Sequence, residues 1–317
     1  MGFLTKHHII LKQARGIQYD FAINRKFTII RGDSATGKST LIQLLQNYEM
    51  DKQSIALQCD CRCAVLPTVG WDILLEKIQE TIFFLDEWHP ALQAGMSFGE
   101  KACESNNCFV VITRKNIPYI PYSYKEIYRI KTSGKYHTLL REYEDYEDFR
   151  QLGRYVTEDQ EAGLEYYKAI LGEDKVATSR GNGSLYKFAN KDTLLIGDGA
   201  AIGPHMYKLV ESHGNLFLPE SFEYLLLQSS LFKKDVEVRD LLNHKEEMIT
   251  AEYCSWEEYF TSFITKHTAN TTLAYTKKKL NPCYVKPCCY LNKHCVNYTN
   301  DKKETILRGI DVTFENE

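Results

Sequence analysis

No stretch of the 317-residue sequence approaches the roughly 18 apolar residues that a membrane-crossing helix needs, and residues 1–12 hold no run of signal-peptide length. A cytoplasmic location is therefore the expectation, with no membrane partner. Charge of one sign is also missing: 39 Lys and Arg face 42 Asp and Glu, for a net −3. No overall basic field advertises DNA or RNA, so any nucleic-acid contact must come from a local groove. Gly2 follows Met1, but Lys6 occupies the position where a myristoylation signal has Ser or Thr. No internal repeat and no low-complexity linker breaks the chain, so domain boundaries must come from changes of pattern.

What is present is enough apolar material, 44% of the residues, to bury a sizeable core in one large or two smaller domains. Residues 1–150 alternate short apolar runs (9–11, 17–23, 27–30, 54–57, 81–85, 109–112) with helical stretches (39–46, 71–79, 98–104) and end in a hairpin, 126–131 with 136–140, turning at Ser133-Gly134. Such alternation implies a parallel sheet with crossover helices. An acidic, tyrosine-rich stretch, 142–148, leads to a second alternation over 151–230, with strands at 154–156, 175–178, 193–196 and 215–218. From 231 to 317 the pattern turns helical and polar and closes in a cysteine-rich tail.

Between the apolar run 27–30 and the first helix stands Gly32-Asp33-Ser34-Ala35-Thr36-Gly37-Lys38-Ser39, followed by Thr40. It fits G-x-x-x-x-G-K-[ST] in the strand-to-helix context that the phosphate-binding loop requires. There the glycines let backbone amides curl round phosphates, Lys38 neutralises the β and γ charge, and Ser39 ligates Mg²⁺. A second element, 81–87, ends a run of four apolar residues, Ile82 to Leu85, on Asp86-Glu87. Asp86 suits Mg²⁺ through water, and Glu87 suits the base that orients or deprotonates an attacking water. The expected ligand is a nucleoside triphosphate, ATP with Mg²⁺. A GTPase reading fares worse, because Asp86 is not followed by glycine and no Asn-Lys-x-Asp motif occurs, and a small-molecule kinase ranks last, because no arginine-rich lid segment follows.

These strands, the Asp86-Glu87 pair, the strand end Val110-Val111-Ile112-Thr113-Arg114 and the hairpin together resemble the ABC-type ATPase core over about 150 residues. Two features depart from it: the interval from Lys38 to Asp86 is too short for the family's helical subdomain, and no Leu-Ser-Gly-Gly-Gln-like signature occurs. Arg114 stands near the place where that family often has a switch histidine, which makes it the candidate γ-phosphate sensor.

In the second segment Glu158 and Asp159 follow the first strand, Asp198 the third and Glu220 the fourth. Groups at the carboxyl ends of parallel strands face one crevice, so Glu158, Asp198 and Glu220 are candidate ligands of a shared Mg²⁺ that activates water or a phosphodiester. The same residues also suit turns and helix caps. The order resembles the toprim fold of topoisomerases, primases and overcoming-lysogenization-defect nucleases, although Asp198-Gly199-Ala200 supplies one carboxylate where toprim domains carry Asp-x-Asp. A P-loop ATPase joined to a toprim-like unit is the layout of overcoming-lysogenization-defect phage-defence proteins, and several segments also look like compact ATPases associated with bacterial mobile elements. DNA or RNA, and a partner protein or second copy, are the partners this implies.

Ten cysteines are many for a compartment that keeps thiols reduced. In the tail, Cys283, Cys288, Cys289 and Cys295 offer enough thiolates for zinc, against a spacing without a C-x2-C pair that suits reduced structural thiols. Cys59, Cys61 and Cys63 alternate, which on one strand places them on one face as core filling. Lys277-Lys278-Lys279 reads as a solvated face. The expected architecture is α/β: an ABC-like P-loop NTPase lacking the helical signature subdomain (1–150), a small toprim-like β/α unit (151–230) and a helical Cys-rich C-terminal region (231–317). The expected function is ATP binding with slow hydrolysis that controls the toprim-like, metal-dependent nuclease region; the alternative is a non-catalytic ATP-dependent sensor or interaction module.

Overall fold

The computed structural model describes residues 2–14, 16–32, 37–144 and 152–285. They form a mixed α/β protein in which no helix is long and apolar enough to cross a membrane. The chain divides into two compact units, Met1–Glu142 with Glu246–Ser255, and Tyr143–Lys245 with Trp256–Glu317.

The first unit runs β1 (His7–Gln13), β2 (Gln18–Ile23), β3 (Phe27–Arg31), α1 (Lys38–Met50), β4 (Ile55–Gln58), β5 (Arg62–Val65), α2 (Trp71–Lys77), β6 (Thr81–Asp86), α3 (Pro90–Gln93), α4 (Met96–Glu104), β7 (Cys108–Ile112), β8 (Ile127–Ser133) and β9 (Tyr136–Arg141). Its nine strands form one mixed sheet in the order β4-β1-β2-β9-β8-β3-β7-β6-β5. Strands β8, β3, β7, β6 and β5 run parallel to their neighbours in that order, while β1 pairs antiparallel with β2 and β4, and β8 with β9. β3, β6 and β7 are continuous apolar runs buried over almost their whole length, as expected of parallel strands covered on both faces. β1 instead alternates, with His7, Ile9 and Leu11 turned inward. Along α1, Leu41, Ile42, Leu44 and Leu45 follow helical spacing and are buried, contributing about 1.5–3 kcal/mol each.

The hairpin is present, with Ser133 paired to Tyr136, so its two loop residues are Gly134 and Lys135 rather than Ser133-Gly134. Cys59, Cys61 and Cys63 do not share a strand: the chain bends between β4 and β5, leaving Cys59 and Cys61 in the bend and Cys63 on β5. The expectation missed this because the bend carries neither Gly nor Pro. The segment 231–317 is also not one region, because 246–255 belongs to the first unit. There Leu4 bridges Thr250, and the buried Lys26 ammonium donates to the carbonyls of Cys103 (2.6 Å), Ser105 (2.6 Å) and Ala251 (2.7 Å). A disulfide joins Cys103 to Cys254, where reduced thiols were expected.

The second unit runs β10 (Arg154–Thr157), α5 (Glu161–Leu171), β11 (Val176–Thr178), α6 (Asn182–Leu185), β12 (Thr193–Ile196), α7 (Met206–Glu211), β13 (Asn215–Phe217), α8 (Phe222–Leu227), α9 (Val236–His244) and α10 (Trp256–Thr268). Its four strands are all parallel, in the order β11-β10-β12-β13. The change of direction of the strand order beside β10 opens a crevice at the carboxyl ends of β10 and β12. Tyr166, Phe222 and Tyr275 pack beneath it, with Tyr166 and Phe222 ring centroids 5.2 Å apart and those of Phe222 and Tyr275 6.3 Å apart.

Candidate functional site

In the first unit, register aligns the candidate residues. Ile30 pairs with Ile112, and Ile112 with Asp86, so the carboxyl ends of β3, β7 and β6 lie level. The loop to α1 leaves from β3, Asp86-Glu87 leave β6, and Thr113-Arg114 leave β7. Of the glycine loop, Gly32 and Gly37 onward are described; Asp33, Ser34, Ala35 and Thr36 lie outside the described residues. Ser39 is exposed at the start of α1, and Lys38 and Thr40 are half-buried beside it. The Lys38 ammonium donates to the Gly32 carbonyl, folding back across the loop.

Gly37 precedes α1 with φ 92°, a left-handed conformation that glycine adopts without strain. The buried Tyr19 hydroxyl donates to its carbonyl at 2.7 Å, and a Cβ at position 37 would lie 2.8 Å from that hydroxyl. Tyr19 in turn stacks on His137, centroids 4.5 Å apart, and His137 Nδ1 bonds Thr132 Oγ1 at 2.9 Å. Burial pushes the Tyr19 phenol up to about 12, so it stays a donor.

Arg114 grips Glu87. Its backbone amide donates to Oε2 at 3.1 Å, Nε to Oε1 at 3.1 Å and an outer guanidinium nitrogen to Oε1 at 2.5 Å. These bonds, aided by the charge of Lys38, hold the Glu87 carboxyl below its ordinary range. Asp86 Oδ1 accepts from the Trp88 amide at 3.0 Å. His89 is buried, bonds the Leu66 carbonyl at 2.9 Å and caps α3 through the Ala91 amide.

In the second unit the crevice is lined by Asp159, Gln160, Glu161, Ala162, Gly163, Asp198, Phe222, Glu223, Glu257, Tyr275 and Lys277. Asp159 Oδ2 accepts from Thr157 Oγ1 at 2.7 Å, and Gly163 of α5 admits that carboxylate: a Cβ there would lie 2.5 Å from Asp159 Cγ. Asp198 Oδ1 accepts from the Phe222 amide at 3.1 Å, and Glu158 Oε1 accepts from the Asp198 amide. Glu223 Oε1 accepts from the Tyr275 hydroxyl at 2.7 Å, and the Lys277 ammonium bonds Glu257 at 2.9 Å.

Burial first, and crowding by neighbouring carboxylates second, raise Glu158 and Asp198 well above the carboxylate range. Burial pushes Asp159 up to about 6, with Glu223 and Glu257 adding to the effect. Burial disfavours the Lys277 ammonium, but Glu257 and Glu223 more than offset this and raise it.

Of the strand-end acids named from sequence, Asp159 and Asp198 line the crevice and Glu158, bonded to the Asp198 amide, does not, while Glu223, Glu257 and Lys277 were not anticipated there. Glu257 and Lys277 lie far downstream on elements read as solvated and carry no local signal. Glu220 is buried and does not line the crevice; Ala200 bonds its carbonyl, and Glu223 and Glu257 stand where it was expected. Glu158, Asp198 and Glu220 do not form a group with ligand atoms all within 4.8 Å of one another; among the described residues, His7, Cys59, Asp60 and Cys61 do. The cap reading fits Asp198 in part, through Phe222, but not Glu158 or Asp159, since α5 is preceded by Gln160 without a side-chain cap. Cys283 is half-buried, and Cys288, Cys289 and Cys295 lie outside the described residues. No family model, curated protein or solved structure matches the chain.

Proposed function

We propose that the first unit binds ATP with Mg²⁺ and hydrolyses it slowly, and that its nucleotide state governs a toprim-like second unit whose acidic crevice uses a divalent cation on a phosphodiester of DNA or RNA. One observation supports the first half: β7 lies between β3 and β6 with the carboxyl ends of all three level, and Lys38, Asp86, Glu87 and Arg114 stand at or just beyond those ends. The loop from Gly32 to Ser39 would cradle the phosphates with its amides, and Ser39 and Asp86 would hold Mg²⁺.

In the chain as described, Lys38 bonds the Gly32 carbonyl and Arg114 bonds Glu87. A triphosphate offers both cations a stronger anionic partner. Arg114 turning to the γ-phosphate frees Glu87, whose carboxyl then returns toward its ordinary range and accepts a proton from the attacking water. Turnover is slow because this exchange of partners precedes chemistry.

In the second unit, five carboxylates beside one lysine form a crevice that favours a cation, and Asp159 and Asp198 at adjacent strand ends are its central candidates. Cleavage of an oligonucleotide with Mg²⁺ or Mn²⁺ tests this: Asp198→Ala and Glu158→Ala are expected to abolish it, and equal cleavage by both variants and wild type removes the site from the mechanism.

A second reading, an ATP-dependent sensor with negligible turnover, is favoured by the same Arg114 grip, which holds Glu87 weakly basic. Single-turnover kinetics separate the two. Product formed faster by wild type than by Glu87→Gln supports the ATPase, and binding without product in both supports the sensor.

A further inference from the structure

The inner edge of β1 and the bend between β4 and β5 bring four ligand-type side chains together: His7, Cys59, Asp60 and Cys61, with ligand atoms all within 4.8 Å of one another. We propose that these residues form a binding site for a thiophilic divalent metal ion of the zinc(II) class. It is independent of the nucleotide reading above and lies among residues that reading does not use.

Two of the distances already match the edges of a tetrahedron. With metal–sulfur bonds of about 2.3 Å and metal–nitrogen and metal–oxygen bonds of about 2.0–2.1 Å, ligand atoms sit about 3.3–3.8 Å apart. Cys59 Sγ to Cys61 Sγ is 3.6 Å and Cys59 Sγ to Asp60 Oδ1 is 3.5 Å. His7 Nδ1 to Asp60 Oδ1, at 2.8 Å, is a hydrogen-bond distance that opens by about half an ångström around an ion. Cys63, on β5, lines the same cavity as the other two thiols and is the adjacent sulfur that can replace the carboxylate.

The histidine tautomer points the same way. His7 is buried, and its Nε2 lies 2.8 Å from the Leu4 carbonyl, an acceptor only, so the proton on that nitrogen is fixed. A neutral ring then turns the bare lone pair of Nδ1 toward the Asp60 carboxylate. Lone pair against carboxylate is repulsive unless a positive charge stands between them, either a second ring proton or a cation. Two sulfurs at tetrahedral distance favour the cation, which would exchange the thiol hydrogen bonds to Asp60 and between the sulfurs for ligand bonds.

The backbone supports this arrangement without needing the ion. β1 and β4 pair antiparallel from Ile10–Gln58 to Gln13–Ile55, which carries Cys59 and Asp60 past the end of the ladder and onto His7. An open cavity lined by Cys59, Cys61, Cys63, Arg62, Tyr48 and Lys52 reaches the sulfurs and gives an ion a path from solvent. Binding would displace thiol protons, so affinity should fall as pH falls.

The test uses the full chain, reduced and freed of metal, titrated with Co²⁺ as a spectroscopic stand-in for Zn²⁺. The expected result is a tetrahedral, thiolate-ligated cobalt spectrum displaced by Zn²⁺. It should be lost, or its affinity weakened at least tenfold, in Cys59→Ser, Cys61→Ser and His7→Gln. It should persist in a variant with Cys283, Cys288, Cys289 and Cys295 all changed to Ser. The same spectrum in the Cys59 and Cys61 variants, or its loss with the tail cysteines alone, overturns the proposal. Should a variant fail to fold, alkylation of the wild-type chain read by mass spectrometry decides: Zn²⁺ is expected to slow modification of Cys59 and Cys61 at least tenfold, and equal rates with and without Zn²⁺ refute the site.

Discussion

The Arg114 guanidinium and the Glu87 carboxylate face each other at the ends of two adjacent parallel strands, joined by bonds of 3.1 Å and 2.5 Å and by the Arg114 amide at 3.1 Å. Loss of this side chain removes the proposed γ-phosphate contact while leaving the backbone amide in place. Arg114→Ala is expected to lower the ATP turnover rate by about 10²-fold or more, with a smaller change in ATP affinity. Arg114→Lys should recover little, because one ammonium does not reproduce the guanidinium fork. Steady-state turnover with a separately measured Kd checks this, and an unchanged turnover rate in Arg114→Ala removes Arg114 from the chemistry.

Gly37 offers a sharper probe of the loop. At φ 92° any side chain costs roughly 1–2 kcal/mol, and its Cβ would press on the Tyr19 hydroxyl at 2.8 Å. Gly37→Ala should weaken ATP binding at least tenfold. Calorimetric titration measures it, and wild-type affinity in that variant would show that the turn into α1 tolerates a Cβ and does not shape the phosphate cradle.

Lys26 ties the segment 246–255 to the first unit through carbonyls contributed by Cys103, Ser105 and Ala251. Lys26→Met keeps the stem and removes the ammonium, leaving those acceptors unsatisfied in a buried place. The expected cost is about 2–4 kcal/mol, seen as a lower urea midpoint. A midpoint equal to wild type would mean that water replaces the ammonium.

In the second unit, carboxylates crowd one another in a buried crevice, a strain that the proposed cation would relieve. Asp198→Asn retains an acceptor for the Phe222 amide and removes the ionisable carboxyl from the crowded crevice. It is expected to abolish nucleic-acid cleavage and, without divalent cations, to raise Tm by about 2–4 °C, corresponding to about 1 kcal/mol. A lowered Tm would assign Asp198 to the fold alone.

Local chemistry determined which parts could be read in advance. The runs 27–30, 81–85 and 109–112 are almost wholly apolar without alternation, a pattern that suits a parallel strand covered on both faces, so the central sheet was legible. The glycine loop and Asp86-Glu87 could be singled out because their motifs are defined by neighbours in sequence, and the roles proposed for them await the tests above. The place of Arg114 followed from its strand end, but its grip on Glu87 did not. Glu257 and Lys277 reach the second crevice only because α10 and the turn after it fold back over α8, a tertiary event without a local signal. Cys59, Cys61 and Cys63 misled for the opposite reason: their alternation suggested one strand, but a bend without glycine or proline ended β4 before them.

The account rests most directly on nucleotide binding by the Gly32–Ser39 loop, and isothermal titration of ATP with Mg²⁺ into wild type, Lys38→Ala and Glu87→Gln measures it. The prediction is saturable binding by wild type, binding retained by Glu87→Gln, and affinity reduced at least tenfold or lost in Lys38→Ala. Equal affinity in wild type and Lys38→Ala would contradict it.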